Sequence, residues 1–247
     1  MIKLNRIFVY LKIYKKRCIL VEEYFLKGFF YMDLLNNTFV TILGYKLSFL
    51  EFLATIAGIF NVYLLAKLKI SNYFWGILNV ILSFFIYYNV QMYSTMFLQI
   101  YYLVLNIYGL WMWTRSSDTD HQLKVSTNSK QYNIKAFIIS FLGFIVLGFF
   151  LKNIHTILPQ IFKQPESSPF IDSFITTLSI VAMYFSAKKK LENWYLWFVA
   201  DFVSLIIFFD KDVKFISFQY LVFLFFAFIG FIAWKKEIKE DFEASTC

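Results

Sequence analysis

The sequence predicts an all-α integral membrane protein, and composition, segment length and charge distribution each point to that class. Of the 247 residues, 60% are hydrophobic and 16% are charged, and the mean hydropathy is +0.60. Soluble domains hold roughly 25% charged residues, and a soluble chain with 33 phenylalanines would expose large apolar patches that promote aggregation. A lipid bilayer removes that difficulty, because its hydrocarbon is as apolar as the side chains that face it.

Apolar segments long enough to cross a bilayer, which takes ~20 residues in a helix, recur along the chain. Because lipid offers the backbone no hydrogen bonds, such segments are expected to be helices rather than open sheet. The alternating pattern of a membrane β-barrel does not occur in them. In chain order, the seven predicted spans are Leu47–Leu68, Tyr73–Val90, Thr95–Thr114, Lys135–Ile154, Phe170–Ala187, Trp194–Phe209 and Phe215–Trp234.

The N-terminal region, residues 1–46, leaves two alternatives open. Residues 18–32 are apolar but contain Glu22, Glu23 and Lys27. A charge at mid-span costs ~2.5–3.5 kcal/mol on insertion scales. An amphipathic helix lying in the interface is therefore favoured over an eighth span.

Positive charges predict the orientation. They concentrate in alternate loops, and the positive-inside rule places the richer side, together with the tail 237–247, in the cytoplasm. The net charge of +8 therefore indicates how the chain is oriented in the membrane. Nucleic acid is not an expected partner, since no basic stripe lies on a polar helix. The richer side holds Lys67, Lys69, Arg115, Lys124, Lys130, Lys135, Lys188, Lys189, Lys190, Lys235, Lys236 and Lys239.

Two parts of the chain, 47–114 and 170–236, are similar at an offset of 121 residues. Each part contains three spans, and one helix within 115–169 separates them, so both parts cross the membrane in the same direction. This predicts a 3+1+3 parallel repeat of the SWEET-like kind, in which transporters bind substrate near the midplane between the repeats. The informative matches are Thr55 with Thr176, Tyr63 with Tyr184, Lys67 with Lys188, Asn72 with Asn193, Gly109 with Gly230 and Trp113 with Trp234.

Polar and aromatic residues follow one face of the sixth predicted span. They are Asn193, Trp194, Trp197 and Asp201. Polar groups inside a membrane are costly and are therefore functional candidates, and aromatic rings attract flat cations by ~0.5–2 kcal/mol. The alternatives are an interfacial aromatic belt for the tryptophans and a buried hydrogen-bonding hub for Asp201.

Amides in other spans extend the candidate site. Gln99, Tyr102 and Asn106 share one face of the third span. Asn79 lies midway along the second span, and Gln219 in the seventh lies close to the repeat partner of Gln99. Amides both donate and accept hydrogen bonds, which suits ribose hydroxyls and amide groups. The alternative is hydrogen bonding between helices.

Signatures of an enzyme, a metal site or a bound cofactor do not occur in the sequence. His121 and His155 stand alone, and Cys18 and Cys247 form neither a metal-ligand spacing nor a disulfide framework. The expected partners are therefore the lipid bilayer and a small-molecule substrate.

Five stretches carry a family resemblance. They are EFLATIAGIFNVYLLAKLKISNYFWGILNV (51–80), QIYYLVLNIYGLWMW (99–113), DSFITTLSIVAMYFSAKKK (172–190), LENWYLWFVADFVSLIIFF (191–209) and QYLVFLFFAFIGFIAWKK (219–236). Together these stretches resemble the PnuC family of nicotinamide riboside transporters over residues 48–236, and the Trp-x-x-Trp pair followed by Asp is a fairly specific element.

The resemblance implies a multi-pass protein of the bacterial inner membrane that carries nicotinamide riboside down its gradient, with cytoplasmic phosphorylation trapping the product. It also implies that Trp194 and Trp197 flank the pyridinium ring and that Gln99, Asn106 and Asp201 take polar groups. Relatives in the superfamily carry thiamine or riboflavin, and thiamine is also a flat cation, so the vitamin stays open. A non-transporting membrane scaffold is the alternative from another class. Proton coupling through Asp201 is a minor alternative, and the oligomeric state, including a homo-oligomer, stays open.

Overall fold

The computed structural model describes residues 37–89, 93–115, 123–160, 162, 168–210 and 212–246. The predicted N-terminal helix at residues 18–32 and His121 lie outside these ranges. The described chain begins with a hairpin of β1 (Thr38–Ile42) and β2 (Tyr45–Ser48), and helices follow. These are α1 (Phe49–Ala66), α2 (Asn72–Asn89), α3 (Tyr93–Arg115), α4 (Lys130–Ile157), α5 (Pro169–Ala187), α6 (Asn193–Asp210) and α7 (Lys214–Thr246).

Six of these helices are long and apolar enough to cross a membrane, which confirms the predicted helical membrane class. The exception is α2, which has the length of a span but contains Asn72, Asn79 and Asn89. Large apolar side chains such as Phe137, Ile139 and Val146 of α4 point outward and are mostly exposed. That distribution suits a protein surrounded by lipid rather than water.

A hairpin forms the end of the N-terminal region and replaces the predicted start of the first span. The first span is predicted to begin near Leu47, whereas Thr38–Ile42 and Tyr45–Ser48 form two antiparallel strands. Leu43 and Gly44 form the two-residue turn with φ values of 51° and 80°, the left-handed geometry that tight hairpins require. The strand sequence TFVTI is rich in β-branched residues, which favour a pleated conformation.

A capping box fixes the start of α1. The Ser48 side chain accepts a hydrogen bond from the Glu51 backbone N–H at 3.1 Å, and the Glu51 carboxylate accepts one from the Ser48 N–H at 2.8 Å. This reciprocal pair satisfies two backbone donors that a helix start leaves free. The helix therefore begins at Phe49, two residues after the predicted position.

Helices α4 and α7 extend well beyond their predicted bounds. Helix α4 begins at Lys130 because the Ser129 hydroxyl accepts a hydrogen bond from the Tyr132 N–H at 3.2 Å. Helix α7 continues beyond Trp234 to Thr246, so residues 237–246 of the predicted tail are helical. Exposed pairs one turn apart accompany this extension, Lys236 with Glu240 at 3.4 Å and Lys239 with Glu243 at 3.6 Å.

The helices pack in a pattern that repeats along the chain. Helix α2 packs between α1 and α3, and α6 packs in the same way between α5 and α7. Across the two groups, α1 packs against α7 and α3 packs against α5. Helix α4 packs against α5. Each contact made by the first group of three therefore has an equivalent in the second.

Local backbone geometry recurs at the same offset of 121 residues. Leu68 and Lys189, which follow α1 and α5, both have positive φ, at 54° and 50°. The side-chain amide of Asn72 donates to the Lys69 carbonyl at 2.7 Å, and that of Asn193 donates to the Lys190 carbonyl at 2.6 Å. The sequence similarity between the two halves thus corresponds to matching turns in the structure.

Four aromatic rings pack together where these turns meet, at what we call the lysine-rich end of the bundle. Tyr73 contacts Trp113 edge to face at 5.2 Å, and Trp194 contacts Trp234 edge to face at 5.4 Å. Trp113 and Trp234 contact each other at 6.4 Å and join the two pairs. We refer to these four residues as the aromatic cluster.

Hydrogen bonds from the aromatic cluster cross between the two groups of helices. The Trp113 indole N–H donates to the Ala187 carbonyl at the end of α5 at 3.1 Å. The Trp234 indole N–H donates to the Leu65 carbonyl near the end of α1 at 3.2 Å. The two halves are therefore fastened to each other reciprocally at the lysine-rich end.

Candidate binding site

Asp201 lies halfway along α6 and is the buried carboxylate around which the candidate site is built. Its exposed fraction is 7%. Within the described residues, no lysine or arginine forms an ion pair with it. Burying an unpaired charge is costly, so a cationic group placed beside Asp201 would be stabilised there.

Two tyrosines lie near Asp201, and a third tyrosine lies near both of them. Tyr102 of α3 and Tyr220 of α7 lie within electrostatic range of the carboxylate, and Tyr87 of α2 lies within range of both tyrosines. All three rings are half-buried. We call these four residues the central cluster; two of its helices come from the first group of three and two from the second.

Two serines lie beside these phenols. Ser179 of α5 lies close to Tyr102, and Ser204 of α6 lies close to Tyr220. Both serines are buried, and Ser204 donates to the Ala200 carbonyl at 2.8 Å. The central cluster thus presents a carboxylate, hydroxyl groups and aromatic rings, which together suit a flat cation that carries hydroxyls.

Two predicted residues flank the central cluster. Gln99 is buried one turn before Tyr102 on α3, and Trp197 is half-buried one turn before Asp201 on α6. The Trp197 indole N–H donates to the Ser186 hydroxyl at 3.3 Å. The structure therefore brings Gln99, Tyr102, Trp197 and Asp201 to one region of the bundle.

Trp194 and Asn193 lie elsewhere. They precede Asp201 by seven and eight residues, which is about 10 Å along the helix axis. Trp194 is 1% exposed within the aromatic cluster, and its indole N–H is buried with no hydrogen-bond partner in the described part of the chain. Asn193 is fully buried and binds the Lys190 carbonyl and the Ser186 hydroxyl. In this conformation both side chains stabilise the lysine-rich end.

The predicted asparagines of α2 and α3 make backbone contacts. The Asn79 amide donates to the Ala54 carbonyl of α1 at 2.7 Å, so it joins two helices. The Asn106 amide donates to the Tyr102 carbonyl one turn earlier at 2.9 Å. Its side-chain oxygen lies against Gly76, where an added Cβ would approach it to 2.3 Å. Asn79 thus fits the alternative of interhelical hydrogen bonding.

Tyr87 and Tyr220 were not singled out from the sequence. The repeat gave a usable signal for Tyr220, since an offset of 121 from Gln99 leads to position 220 and not to Gln219, which is half-buried beside it. Nothing distinguished Tyr87 among 17 tyrosines. Gln99 and Tyr220 occupy equivalent positions in the repeat although their side chains differ, so the repeat predicts the position of Tyr220 and not its residue type.

The lysine-rich end is closed by a further contact. Residue Ser126 pairs with the turn after α5: its N–H donates to the Lys189 carbonyl at 3.1 Å, and the Leu191 N–H donates to its carbonyl at 2.9 Å. The Lys189 ammonium lies 4.5 Å from the Trp113 ring centre. Burial lowers the pKa of Lys189, because the charged form loses hydration there.

The chain is similar to proteins of a known transporter family. The family model described as nicotinamide mononucleotide transporter matches residues 48–236. The chain belongs to this family. Its relatives include the nicotinamide riboside transporter PnuC of Escherichia coli K12, which is 32% identical over 215 residues that cover 80% of this chain and 89% of the relative.

Two further similarities are more distant. The riboflavin/roseoflavin transporter RibM of Streptomyces davaonensis is 24% identical over 123 residues, which cover 49% of this chain and 54% of RibM. A crystal structure of the vitamin B3 transporter PnuC superposes with a TM-score of 0.60 at 22% identity, covering 77% of this chain and 82% of that chain. The structural likeness establishes the shared fold.

Family membership places the chain among multi-pass membrane transporters. The predictions of a transporter, of PnuC relationship and of a protein that is not an enzyme are thereby confirmed. The matched range begins at Ser48, so the strands and turn of the hairpin up to Leu47 lie outside it.

Proposed function

We propose that this protein transports nicotinamide riboside across the membrane. The observation that carries the proposal is the buried Asp201, which has no ion-pair partner among the described residues and lies near tyrosines from both halves of the bundle. Nicotinamide riboside is a flat pyridinium cation with a hydroxylated sugar, so its charge, ring and hydroxyls match the carboxylate, the aromatic rings and the phenols. The 32% identity with a nicotinamide riboside transporter supports the same substrate.

The riboside fits the central cluster better than the mononucleotide in the family description. The mononucleotide carries a phosphate, and a phosphate beside Asp201 would be repelled at low dielectric. Within the described chain, the groups found around Asp201 are phenols, hydroxyls and an amide, and none of the ion pairs places a lysine or arginine there. The site therefore offers a phosphate no compensating positive charge.

We further propose the 3+1+3 parallel arrangement, with α1–α3 and α5–α7 as repeats and α4 as the linker. The equivalent packing of the two groups and the matched turns after α1 and α5 support it. Repeats of this kind rock against each other to expose a central site to either side in turn. The positive-inside rule supports an orientation with the lysine-rich end and the C-terminus in the cytoplasm, where phosphorylation would trap the riboside. The similarity to transporters of bacteria supports a location in the bacterial inner membrane.

In this proposal Asp201 faces the pyridinium ring and the three tyrosines of the central cluster supply aromatic surface and hydroxyls. Gln99 and Trp197 border the ligand. Trp194 does not border the ligand in the present conformation, because its ring is enclosed in the aromatic cluster.

A related vitamin is the second candidate. Thiamine is also a flat cation and meets the same electrostatic requirement. Riboflavin is suggested by the similarity to RibM over 49% of this chain, but its ring system is neutral and gains no charge attraction from a buried carboxylate. The charge of Asp201 therefore favours a cationic vitamin.

The test is calorimetric binding to the detergent-purified full chain, with nicotinamide riboside, nicotinamide mononucleotide and thiamine measured side by side. We expect the riboside to bind and the mononucleotide to bind at least tenfold more weakly, since about 1.4 kcal/mol of repulsion suffices for that ratio. Thiamine binding without riboside binding would keep the fold and change the substrate. Binding of none of the three would contradict the proposal.

A further inference from the structure

The hairpin brings one aromatic side chain across the boundary between the two halves of the bundle. Tyr45 of β2 stacks on Phe215 in the first turn of α7, with ring centres 5.8 Å apart and planes inclined by 12°. The hairpin leads directly into α1, whereas Phe215 belongs to the second group of helices. Tyr45 therefore links the two halves at the hairpin end, opposite the lysine-rich end.

The Tyr45 side chain is fixed in this position. Its hydroxyl donates to the Glu51 carboxylate at 2.9 Å, and the second carboxylate oxygen accepts from the Ser48 N–H at 2.8 Å and from the Ser48 hydroxyl at 2.9 Å. Burial and the adjacent carboxylate raise the pKa of Tyr45 to about 12, so the hydroxyl stays protonated and continues to donate. The ring is thus oriented by the helix cap rather than by the stack alone.

Tyr45 also stands at the start of a run of tyrosines that leads into the bundle. It lies within electrostatic range of Tyr87, and Tyr87 lies within range of Tyr102 and Tyr220. Those two residues lie within range of Asp201. The contact between Tyr45 and Phe215 therefore lies on the hairpin side of the central cluster.

Contacts at the two ends fasten the halves differently. At the lysine-rich end, Trp113 and Trp234 each donate to a carbonyl of the other half. At the hairpin end, the ring contact found in the described chain is contributed by a segment outside the family-matched range. Rocking of two bundles requires that the contacts at one end break while those at the other persist.

We propose that Tyr45 is the gating side chain of the hairpin end: its stack on Phe215 closes the substrate path, and separation of the two rings opens it. The hairpin connects Tyr45 to α1, so the gating side chain belongs to the first repeat. This inference rests on the proposed transport function, and it adds a residue that controls access rather than one that binds within the central cluster.

The distance between the hairpin and α7 reports on this gate directly. Spin labels are placed at Thr41→Cys and Lys214→Cys, both exposed positions, with Cys18 and Cys247 replaced by serine, in the full chain in lipid nanodiscs. Double electron–electron resonance then measures the distance distribution without ligand. Tyr45→Ala should shift this distribution to longer distances, and Phe215→Leu should do the same from the other side of the contact.

Phe39→Ala is the matched control. Phe39 lies in the same hairpin and packs on Phe49 and Phe52 at 5.3 and 5.4 Å, both in α1, so its loss removes a ring without touching the second half. Phe39→Ala should leave the distribution unchanged. Tyr45→Phe, which keeps the stack and loses the hydrogen bond to Glu51, should retain most of the short distance. A Tyr45→Ala distribution that matches that of Phe39→Ala would overturn the gate.

Uptake of labelled nicotinamide riboside into proteoliposomes separates this inference from the function on which it rests. If the unsubstituted labelled protein moves no riboside but Tyr45→Ala lengthens the distance, the gate stands and the substrate assignment fails. If riboside moves and Tyr45→Ala changes neither the distance nor the uptake rate, the gate fails and the transport function stands.

Discussion

A carboxylate in the middle of a membrane helix is costly unless a positive group meets it, and this distinguishes Asp201 from the other polar residues of the bundle. Asn79 and Asn193 donate to carbonyls of the chain and so join helices or turns. Asp201 is buried beside tyrosines from α3 and α7 without an ion-pair partner among the described residues. The single-residue evidence for a cationic ligand therefore rests on Asp201.

We predict that Asp201→Asn weakens nicotinamide riboside binding at least tenfold, because it keeps the shape of the side chain and removes about 1.4 kcal/mol or more of charge attraction. Calorimetry on the purified variant measures this loss. The reduced, neutral form of the riboside is the matched ligand control, and its affinity should change little. Equal losses for both forms would show that Asp201 acts through packing and not through charge.

For individual residues, the sequence predicted which polar and aromatic side chains lie inside the bundle better than it predicted where along the bundle each one lies. Tyr102 and Asp201 lie close together, and Gln99 and Trp197 lie one turn away from them on the same helices. Trp194 shares a helical face with Trp197 and yet lies in the aromatic cluster, because Gly230 leaves space for its ring on α7. Helical spacing identifies a shared face but does not show which neighbouring helix covers each turn of it.

At the scale of elements, two glycines allow the aromatic cluster to form. A Cβ at Gly109 would lie 2.4 Å from the Tyr73 ring, and a Cβ at Gly230 would lie 2.4 Å from the Trp194 ring. Gly109 and Gly230 correspond in the repeat, as do Tyr73 and Trp194. Each repeat therefore uses one glycine of its third helix to admit the aromatic residue at the start of its second.

We predict that Gly109→Ala and Gly230→Ala each destabilise the protein, because overpacking of a filled site typically costs about 1–3 kcal/mol. Thermal unfolding in detergent, followed by tryptophan fluorescence, measures the effect. Gly143→Ala in α4 is the matched control, since its Cβ would lie 3.5 Å from Thr177, an ordinary contact. Pairing Gly230→Ala with Trp194→Leu should restore part of the loss. Equal unfolding temperatures for all three alanine variants would contradict this packing account.

The helices were predictable because apolar length dominates their sequences, and most observed ends fall within a few residues of the predicted ones. The hairpin was missed because its strands are short and its turn places Leu43, not a residue typical of left-handed turns, at φ 51°. The extension of α7 was missed because the apolar segment ends at Trp234. The helix continues beyond it with charged residues that form ion pairs one turn apart. Hydropathy therefore predicts the apolar part of a helix that can lie in the membrane, and it does not predict where the helix ends.

For the whole molecule, the repeat accounts for the reciprocal contacts between the halves. The bond from Trp113 to Ala187 and the bond from Trp234 to Leu65 join the third helix of each half to the first helix of the other. The offset of 121 residues was visible in the sequence, but the packing of α1 against α7 and of α3 against α5 was not. A sequence repeat predicts that the two halves are alike, and it does not predict which of their helices contact each other. The structure supplies that interface, with the central cluster contributed by both halves.

Riboside uptake into proteoliposomes containing the full chain tests the central claim most directly. We predict saturable entry that stops when the inside and outside concentrations are equal, with no further accumulation under an imposed pH gradient, and slowed strongly by Asp201→Asn. Empty liposomes and the Gly143→Ala variant serve as controls. Absence of protein-dependent entry would contradict nicotinamide riboside transport, and accumulation above the outside concentration under a pH gradient would replace facilitated diffusion with proton coupling.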